Sequence, residues 1–321
     1  MPNTITISNA VTALNQYVTE FNPIINQQLR QGLEFERMLT FVQCERTWVE
    51  SNVVIGNILQ PYQSGFTPNN TETYSAVENT LQHGKVDVIF EADQLQEFFD
   101  SWKAEWFELG KSAMEWTYPR YVFENHIMPQ LLQDMNNAAW AGVKTTPTAG
   151  TAGTYLQAFT GYRKVIADAI TAGKVTPIVT GAPVDGSRIQ WVDDFVFGMP
   201  AIFRTIPGNI LMSATNAAKY AKEYQKTYQF NAQVSSNPDQ PIYRVDHFKK
   251  MIVGINAMEG SNRMIFCPDV TRNMIIGTRR NQPVMPQLRF QEFDRTLKGL
   301  AEISRFYGFR FWDHVFVNDQ A

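Results

Sequence analysis

Trp48-Val49-Glu50-Ser51-Asn52-Val53-Val54-Ile55 reads as a strand, and Gly84-Lys85-Val86-Asp87-Val88-Ile89-Phe90 reads as another. Between them runs Pro61-Tyr62-Gln63-Ser64-Gly65-Phe66-Thr67-Pro68-Asn69-Asn70-Thr71-Glu72-Thr73-Tyr74, polar and interrupted by Pro and Gly. β-branched alternation followed by turn formers is the pattern of an extended hairpin over residues 47–90. Its middle has too little apolar content for a core of its own. A segment of that length and polarity is either disordered or satisfied by another molecule. The second option points to assembly.

Working outward, the chain has 321 residues, 44% hydrophobic and 18% charged, which describes an ordinary folded protein. No apolar run approaches the ~18 residues of a membrane span. The start, Met1-Pro2-Asn3-Thr4-Ile5-Thr6-Ile7-Ser8, lacks the basic and apolar blocks of a secretory signal. A formal charge of -3 argues against a dedicated nucleic-acid binder but not against a surface that faces packed nucleic acid. Cys44 and Cys267 lie in apolar, strand-like surroundings, and a buried free thiol at each is favoured over a disulfide.

Residues 1–46 read as an arm with helical pieces: Ala10, Leu14, Tyr17 and Phe21 recur at helical spacing until Pro23 breaks or restarts the helix. After the hairpin, Asp93 is the expected cap of a helix whose stripe is Leu95, Phe98, Phe99, Trp102, Trp106 and Leu109. A longer helix starts at Thr117-Tyr118-Pro119 and runs to about Trp140, with a kink or break expected at Pro129. Residues 142–153 form a Thr/Ala/Gly/Pro loop. A mixed stretch follows: helices over 155–172, from Ser187 to near Pro200, and over 216–228, capped by Ser213 or Thr215. Short strands are expected at 209–212, 251–255, 264–267 and 272–276. Alternation over 287–291, 297–303 and 309–317 makes the end β again, with one face on a helix and the other meeting a neighbour.

Chemistry-bearing patterns are sparse. His83, His126, His247 and His314 have no His or Cys at ligand spacing, and structural roles are expected for all of them. Gly150-Thr151-Ala152-Gly153 follows a helix rather than a strand, so it reads as a turn and not a phosphate cradle. Asp193-Asp194 diverge around a helix and read as a solvated face. Arg279-Arg280, in a turn between Gly277 and Pro283, could meet phosphate or an acidic neighbour. Asn69-Asn70-Thr71 contains a glycosylation sequon without meaning in a chain lacking a secretion signal. No catalytic, cofactor or metal residue is assigned.

Taken in order, the elements resemble the major capsid protein of tailed bacteriophages, the Hong Kong 97-type fold. The resemblance covers nearly the whole chain and is one of element order, without an invariant motif. Residues 47–90 resemble the extended loop, with Lys85-Val86-Asp87-Val88-Ile89-Phe90 as the returning strand. Residues 117–141 resemble the spine helix, 210–228 the axial-domain strand and helix, and 252–276 its following strand pair. Residues 288–317 resemble the return to the peripheral sheet. The implied fold class is α+β, with an arm (1–46), an extended loop (47–90), a peripheral domain with the spine (91–145), an axial domain (146–285) and C-terminal peripheral strands (286–321).

What the resemblance implies is a non-enzymatic, cofactor-free virion protein. It would self-assemble into hexamers and pentamers of an icosahedral shell around double-stranded DNA, bound without sequence specificity. Portal, scaffolding and decoration proteins are the implied partners, and the host cytoplasm the place of assembly. Some members begin with a long helical scaffolding segment; this chain reaches its arm at once, so a separate scaffolding protein or none is expected. The Lys, Asn and Glu of crosslinking members have no match here, and that activity is not carried over. Tyr62, Phe66, Tyr74, Arg279 and Arg280 are the expected assembly contacts. A close variant is the same fold in a cellular encapsulating compartment, distinguished by a cargo of enzyme rather than DNA. The alternatives of other classes are an α/β enzyme with an unrecognised site and another virion part such as a tail tube protein.

Overall fold

The computed structural model describes residues 5–56, 58–69, 72–109, 117–229, 242–245, 248–280 and 288–320. Helices α1 (Ile7–Glu20) and α2 (Asn22–Gly32) come first, then strands β1 (Thr40–Cys44), β2 (Thr47–Ile55), β3 (Glu72–Thr80) and β4 (Gln82–Glu91). Helix α3 (Ala92–Leu109) precedes a long spine made of α4 (Tyr118–Val122), a π-helical turn (Phe123–Ile127) and α5 (Met128–Ala141). A 3-10 turn (Tyr155–Gln157), α6 (Tyr162–Thr171), α7 (Arg188–Phe197) and α8 (Ala201–Arg204) lead to β5 (Gly208–Ser213) and α9 (Ala214–Tyr228). Then follow β6 (Ile242–Arg244), β7 (Lys250–Ile255), β8 (Ile265–Cys267), α10 (Val270–Asn273), β9 (Met274–Arg279), β10 (Arg289–Phe293), β11 (Thr296–Phe309) and β12 (Phe316–Val317). No described helix is long and apolar enough to cross a membrane.

Two larger sheets result. In the first, β11 pairs antiparallel with β4 from Thr296 to Arg305. Its other edge takes β10 and then β9, and β1 lies parallel beside β9. One side of β11, with Leu297, Ala301, Ile303, Tyr307 and Phe309, is buried in the main core. Tyr162 from α6 packs edge-on to Tyr307 and Phe309, at 5.3 and 5.6 Å. The second sheet has the order β12-β8-β5-β7-β6, with β5 and β7 parallel and joined through α9. It has its own core around Trp191, Phe195, Tyr220 and Phe266.

Three consecutive residues in the connection between α2 and β1 tie these parts together. Glu34 accepts hydrogen bonds from Asn256 Nδ2 (2.6 Å) and Ala257 N (2.8 Å), just beyond β7. Phe35 stacks 6.2 Å from Trp140 of the spine. Glu36 pairs with Arg305 of β11 at 3.2 Å, with both side chains buried. Alternate residues of one short segment thus reach opposite sheets.

Several elements differ from the sequence reading. The partner of β2 is β3, paired from Thr47↔Thr80 to Ile55↔Glu72, and not residues 84–90, which form β4 in the first sheet. The Glu-Thr-Tyr-Ser-Ala-Val-Glu-Asn-Thr run of β3 has little apolar alternation, because most of its ribbon has no buried face to mark. Helix α1, expected as part of a docked arm, packs into the body of the subunit. Ala10 and Leu14 are fully buried in the main core, and Asn15 exchanges two hydrogen bonds with the backbone of Phe290.

The distortion expected at Pro129 takes the form of a π-helical turn just ahead of it, and the spine continues through it. Met128 N–H bonds to Phe123 O, an i→i−5 step that widens the helix ahead of the proline ring. Asp93 lies inside the first turn of α3 rather than capping it, and Glu91 N is taken by the Gln94 side chain. The helix expected over 155–172 is two pieces, split at Gly161. Arg272 and Asn273 belong to a helical turn capped by Asp269, not to a strand. The terminal stretch leaves the first sheet after Phe309, and Val317 pairs with Ile265 in the second. Ser213 does cap α9, accepting from Asn216 N at 3.3 Å.

Candidate functional site

The feature that projects from the body of the subunit is the β2–β3 ribbon and its tip. Among the described residues the two strands pair only with each other. Register places Val49, Ser51 and Val53 on one face with Tyr74, Ala76 and Glu78. Val49, Val53 and Tyr74 are exposed there. Between the strands the described tip is solvent-facing throughout, with Leu59, Tyr62 and Phe66 at 93%, 96% and 94% exposure. Gln60 Nε2 donates to Thr67 O at 2.5 Å and Gln63 bonds Thr67, so the tip is cross-braced by its own polar groups. The Tyr74 hydroxyl donates to Glu72, which raises the tyrosine pKa.

At its root the ribbon is seated on the first sheet. Trp48 lies 6.4 Å from the ring of Phe306, and the Arg310 guanidinium sits 5.5 Å over the indole. Arg310 Nη1 reaches Glu50 Oε1 at 3.6 Å. Leu81 N–H donates to Arg46 O at 2.8 Å and closes the ribbon's base. Close seating requires glycine at two points. A Cβ at Gly277 would fall 1.8 Å from the Phe306 ring, and one at Gly308 would fall 2.5 Å from Asn79 Oδ1.

Of the expected contact residues, the structure gathers Tyr62 and Phe66 at the tip and puts Tyr74 on the exposed ribbon face. Arg279 and Arg280 are elsewhere, exposed beside the ribbon's root: Arg279 aligns with Cys44, and Arg280 N–H donates to Cys44 O at 3.0 Å. Arg279 also rims a depression with Lys85, Asp87, Arg289 and Glu302. The sequence reading missed Leu59, whose signal is a large apolar residue inside a polar insert. It also missed the root residues Glu50, Asn79 and Arg310, which carry no local signal.

The remaining candidates have structural surroundings. His83 Nδ1 is 2.9 Å from Ser304 Oγ, His126 stacks 4.6 Å from Phe98, and His314 lies 5.6 Å from Phe203. His247 and the Asn70-Thr71 part of the sequon lie outside the described residues, as do the side chains of Trp106 and Leu109. Asp194 accepts from Gln190 at 2.7 Å on α7. Gly150 to Gly153 form an exposed turn ahead of a Thr154–Gln157 capping box. Cys44 and Cys267 are free and buried, and burial pushes the Cys267 thiol up to about 12. No group of three or more His, Cys, Asp or Glu among the described residues could hold a metal.

An interleaved pair of sheets, a long spine and a projecting ribbon match known structures over almost the full chain. The satellite phage P4 procapsid superposes with a TM-score of 0.57 at 10% identity, covering 92% of this chain and 90% of that one. The Hong Kong 97-type fold is the fold of this chain. The cyanophage A-1(L) capsid shares it at a TM-score of 0.54 and 13% identity, over 90% of this chain and 91% of that one. The capsid of the native GTA particle shares it at 0.53 and 12%, over 89% of each. No protein-family model matches the sequence, and no curated protein sequence does. The Hong Kong 97-type architecture therefore persists here at identities where sequence comparison alone is silent.

Proposed function

We propose that this chain is a shell-forming structural subunit, the major capsid protein of a tailed bacteriophage. It builds hexamers and pentamers of an icosahedral container for double-stranded DNA. The observation that carries this is the ribbon: large apolar side chains at its tip, almost wholly exposed, on a fold shared with the satellite phage P4 procapsid, the cyanophage A-1(L) capsid and the capsid of the GTA particle. Exposed apolar groups concentrated on a projection mark a contact surface. A projection that meets a different surface on the next copy makes a heterologous contact, the kind that closes rings and shells.

Tyr62, Phe66 and Tyr74, joined by Leu59, are the proposed contacts of the ribbon. Arg279 and Arg280 are proposed to meet an acidic stretch of a neighbour near the ribbon's root. In domain terms, residues 1–46 form the N-terminal segment and 47–80 the projecting loop. The peripheral domain is built on β4, the spine and β11, and the axial domain on residues 146–285, with β12 added and β9 given to the peripheral sheet. Its first partners are further copies of itself, with portal, decoration and separate scaffolding proteins as candidates beside them; the virion is its destination and the host cytoplasm its place of assembly. The test is negative-stain microscopy of the purified full-length chain. Closed shells or capsomer rings are expected, and a discrete small oligomer with no higher assembly at any concentration refutes the proposal.

A further inference from the structure

Two edges of the first sheet differ in how they are covered. On β10, the Asn15 side chain donates to Phe290 O at 2.8 Å and accepts from Phe290 N–H at 2.9 Å, so a helix amide stands in for a neighbouring strand. β4 has such cover only at its ends. Lys144 Nζ donates to His83 O at 2.8 Å, and Glu91 N–H donates to Gln94 Oε1 at 3.1 Å. These bonds fix which residues turn away from β11. Alternation then turns the N–H and C=O of Lys85, Asp87 and Ile89 the same way. Among the described residues β4 pairs only with β11, and no hydrogen bond reaches the outward main chain of these three.

The open edge runs beside a groove of about 460 Å³ between β4 and the spine. Val86, Val88 and Phe90, which alternate with the outward-turned residues, line one wall, and Ile127, Leu131 and Met135 line the other. Gln130 donates to Asp134 at 2.8 Å along the groove. A bare strand edge offers main-chain bonds to an extended chain, and an apolar channel beside it receives that chain's alternate side chains. The stretch 85–89 presents about 17 Å of edge, the length of about five extended residues. Charge argues against the chain's own projection as the occupant. Residues 47–80 carry Glu50, Glu72 and Glu78 and no Lys or Arg, a poor match for Asp134.

We propose that this edge and its groove are the docking site for an extended segment of a separate protein, added to the sheet as one more strand beyond β4. The segment carries small apolar side chains at every second position, facing the spine, and a basic one opposite Asp134. The site belongs to the single subunit and stands whether or not shells form.

The probe is a capped, fluorescein-labelled hexapeptide of alternating valine and threonine, with lysine in place of one valine. It is titrated by fluorescence anisotropy into the full-length chain kept dissociated, and saturable binding is expected. N-methylation of alternate peptide residues in one series, whose N–H groups face β4, should weaken binding about tenfold or more, and in the other series about twofold at most. Asp87→Pro removes one outward N–H and leaves the pairing with β11 in place, because proline is tolerated on the open side of an edge strand. It should weaken binding about tenfold as well. Should Asp87→Pro fail to fold, judged by circular dichroism, the two N-methyl series on the unaltered protein decide. Binding that does not saturate, equal losses in both series, or full affinity in folded Asp87→Pro overturns the proposal. Hydrogen exchange over residues 82–91 identifies a rival occupant. Protection that appears when the pure chain assembles, without peptide, gives the edge to a second copy and overturns the proposal too. Micrographs of the same chain report separately on container formation.

Discussion

Replacing Leu59, Tyr62 and Phe66 together by serine tests the contact role of the tip. The three side chains are 93%, 96% and 94% exposed, so they contribute almost nothing to the subunit's own core. Substitutions at such sites change stability by no more than about 0.5 kcal/mol each. Burying them against a neighbour would contribute about 1.5–3 kcal/mol apiece, or roughly 4.5–9 kcal/mol per ribbon. Immobilising each side chain costs about 0.5–1.5 kcal/mol, which leaves about 3–4.5 kcal/mol net. That is about two to three orders of magnitude in the association constant of one contact, and a shell multiplies the loss over many contacts. Sedimentation velocity and light scattering over a concentration series should show the triple variant as unassembled subunits where the parent forms particles. Its thermal unfolding midpoint, compared under conditions where both are dissociated, should stay within a few degrees. Particles formed at the parent's concentration would refute the contact role, and loss of the folded subunit would show that the tip belongs to a core.

Three further outcomes follow from the interior. Arg305→Met leaves Glu36 buried and unpaired and should destabilise the subunit by about 3–5 kcal/mol, read by urea unfolding, whereas adding Glu36→Leu should recover much of it. Lys250 is buried, donating to Phe203 O and Ile206 O at 2.8 and 2.9 Å, and burial lowers its pKa from the usual 10.5 to about 8. Between those values the unfolded chain binds more protons than the folded one, so stability should rise with pH from about 8 toward 10. That rise should be absent in Lys250→Met when the two are compared at each pH, and parallel curves would refute it. Gly277→Ala drives a methyl into the Phe306 ring and should cost about 1–3 kcal/mol, with Phe306→Leu in the same chain relieving most of it in thermal melts.

Local pattern alone determined a good deal. The stripes of α1, α3 and the spine, the Ser213 cap of α9, the short apolar strands and the extended run of β2 are all legible because each is written in neighbouring residues. Periodicity and capping act within a few positions of the chain. The order of these elements was enough to suggest the fold, and the polar insert with Tyr62 and Phe66 was enough to suggest a contact surface. Tertiary structure decided what pairs with what. The run at 84–90 alternates well, yet β11, some two hundred residues later, takes it as a partner, while the weakly patterned β3 pairs with β2. A ribbon exposed on most of both faces has no buried side to impose alternation, so its second strand is almost invisible in sequence. Helix α1 looks like an arm until a core forms beneath it, and β12 crosses to the second sheet because Ile265 offers an open edge. The root of the ribbon is the extreme case. Trp48, Glu50, Asn79, Gly308 and Arg310 come from distant parts of the chain, and only folding brings them together, because no local pattern links them.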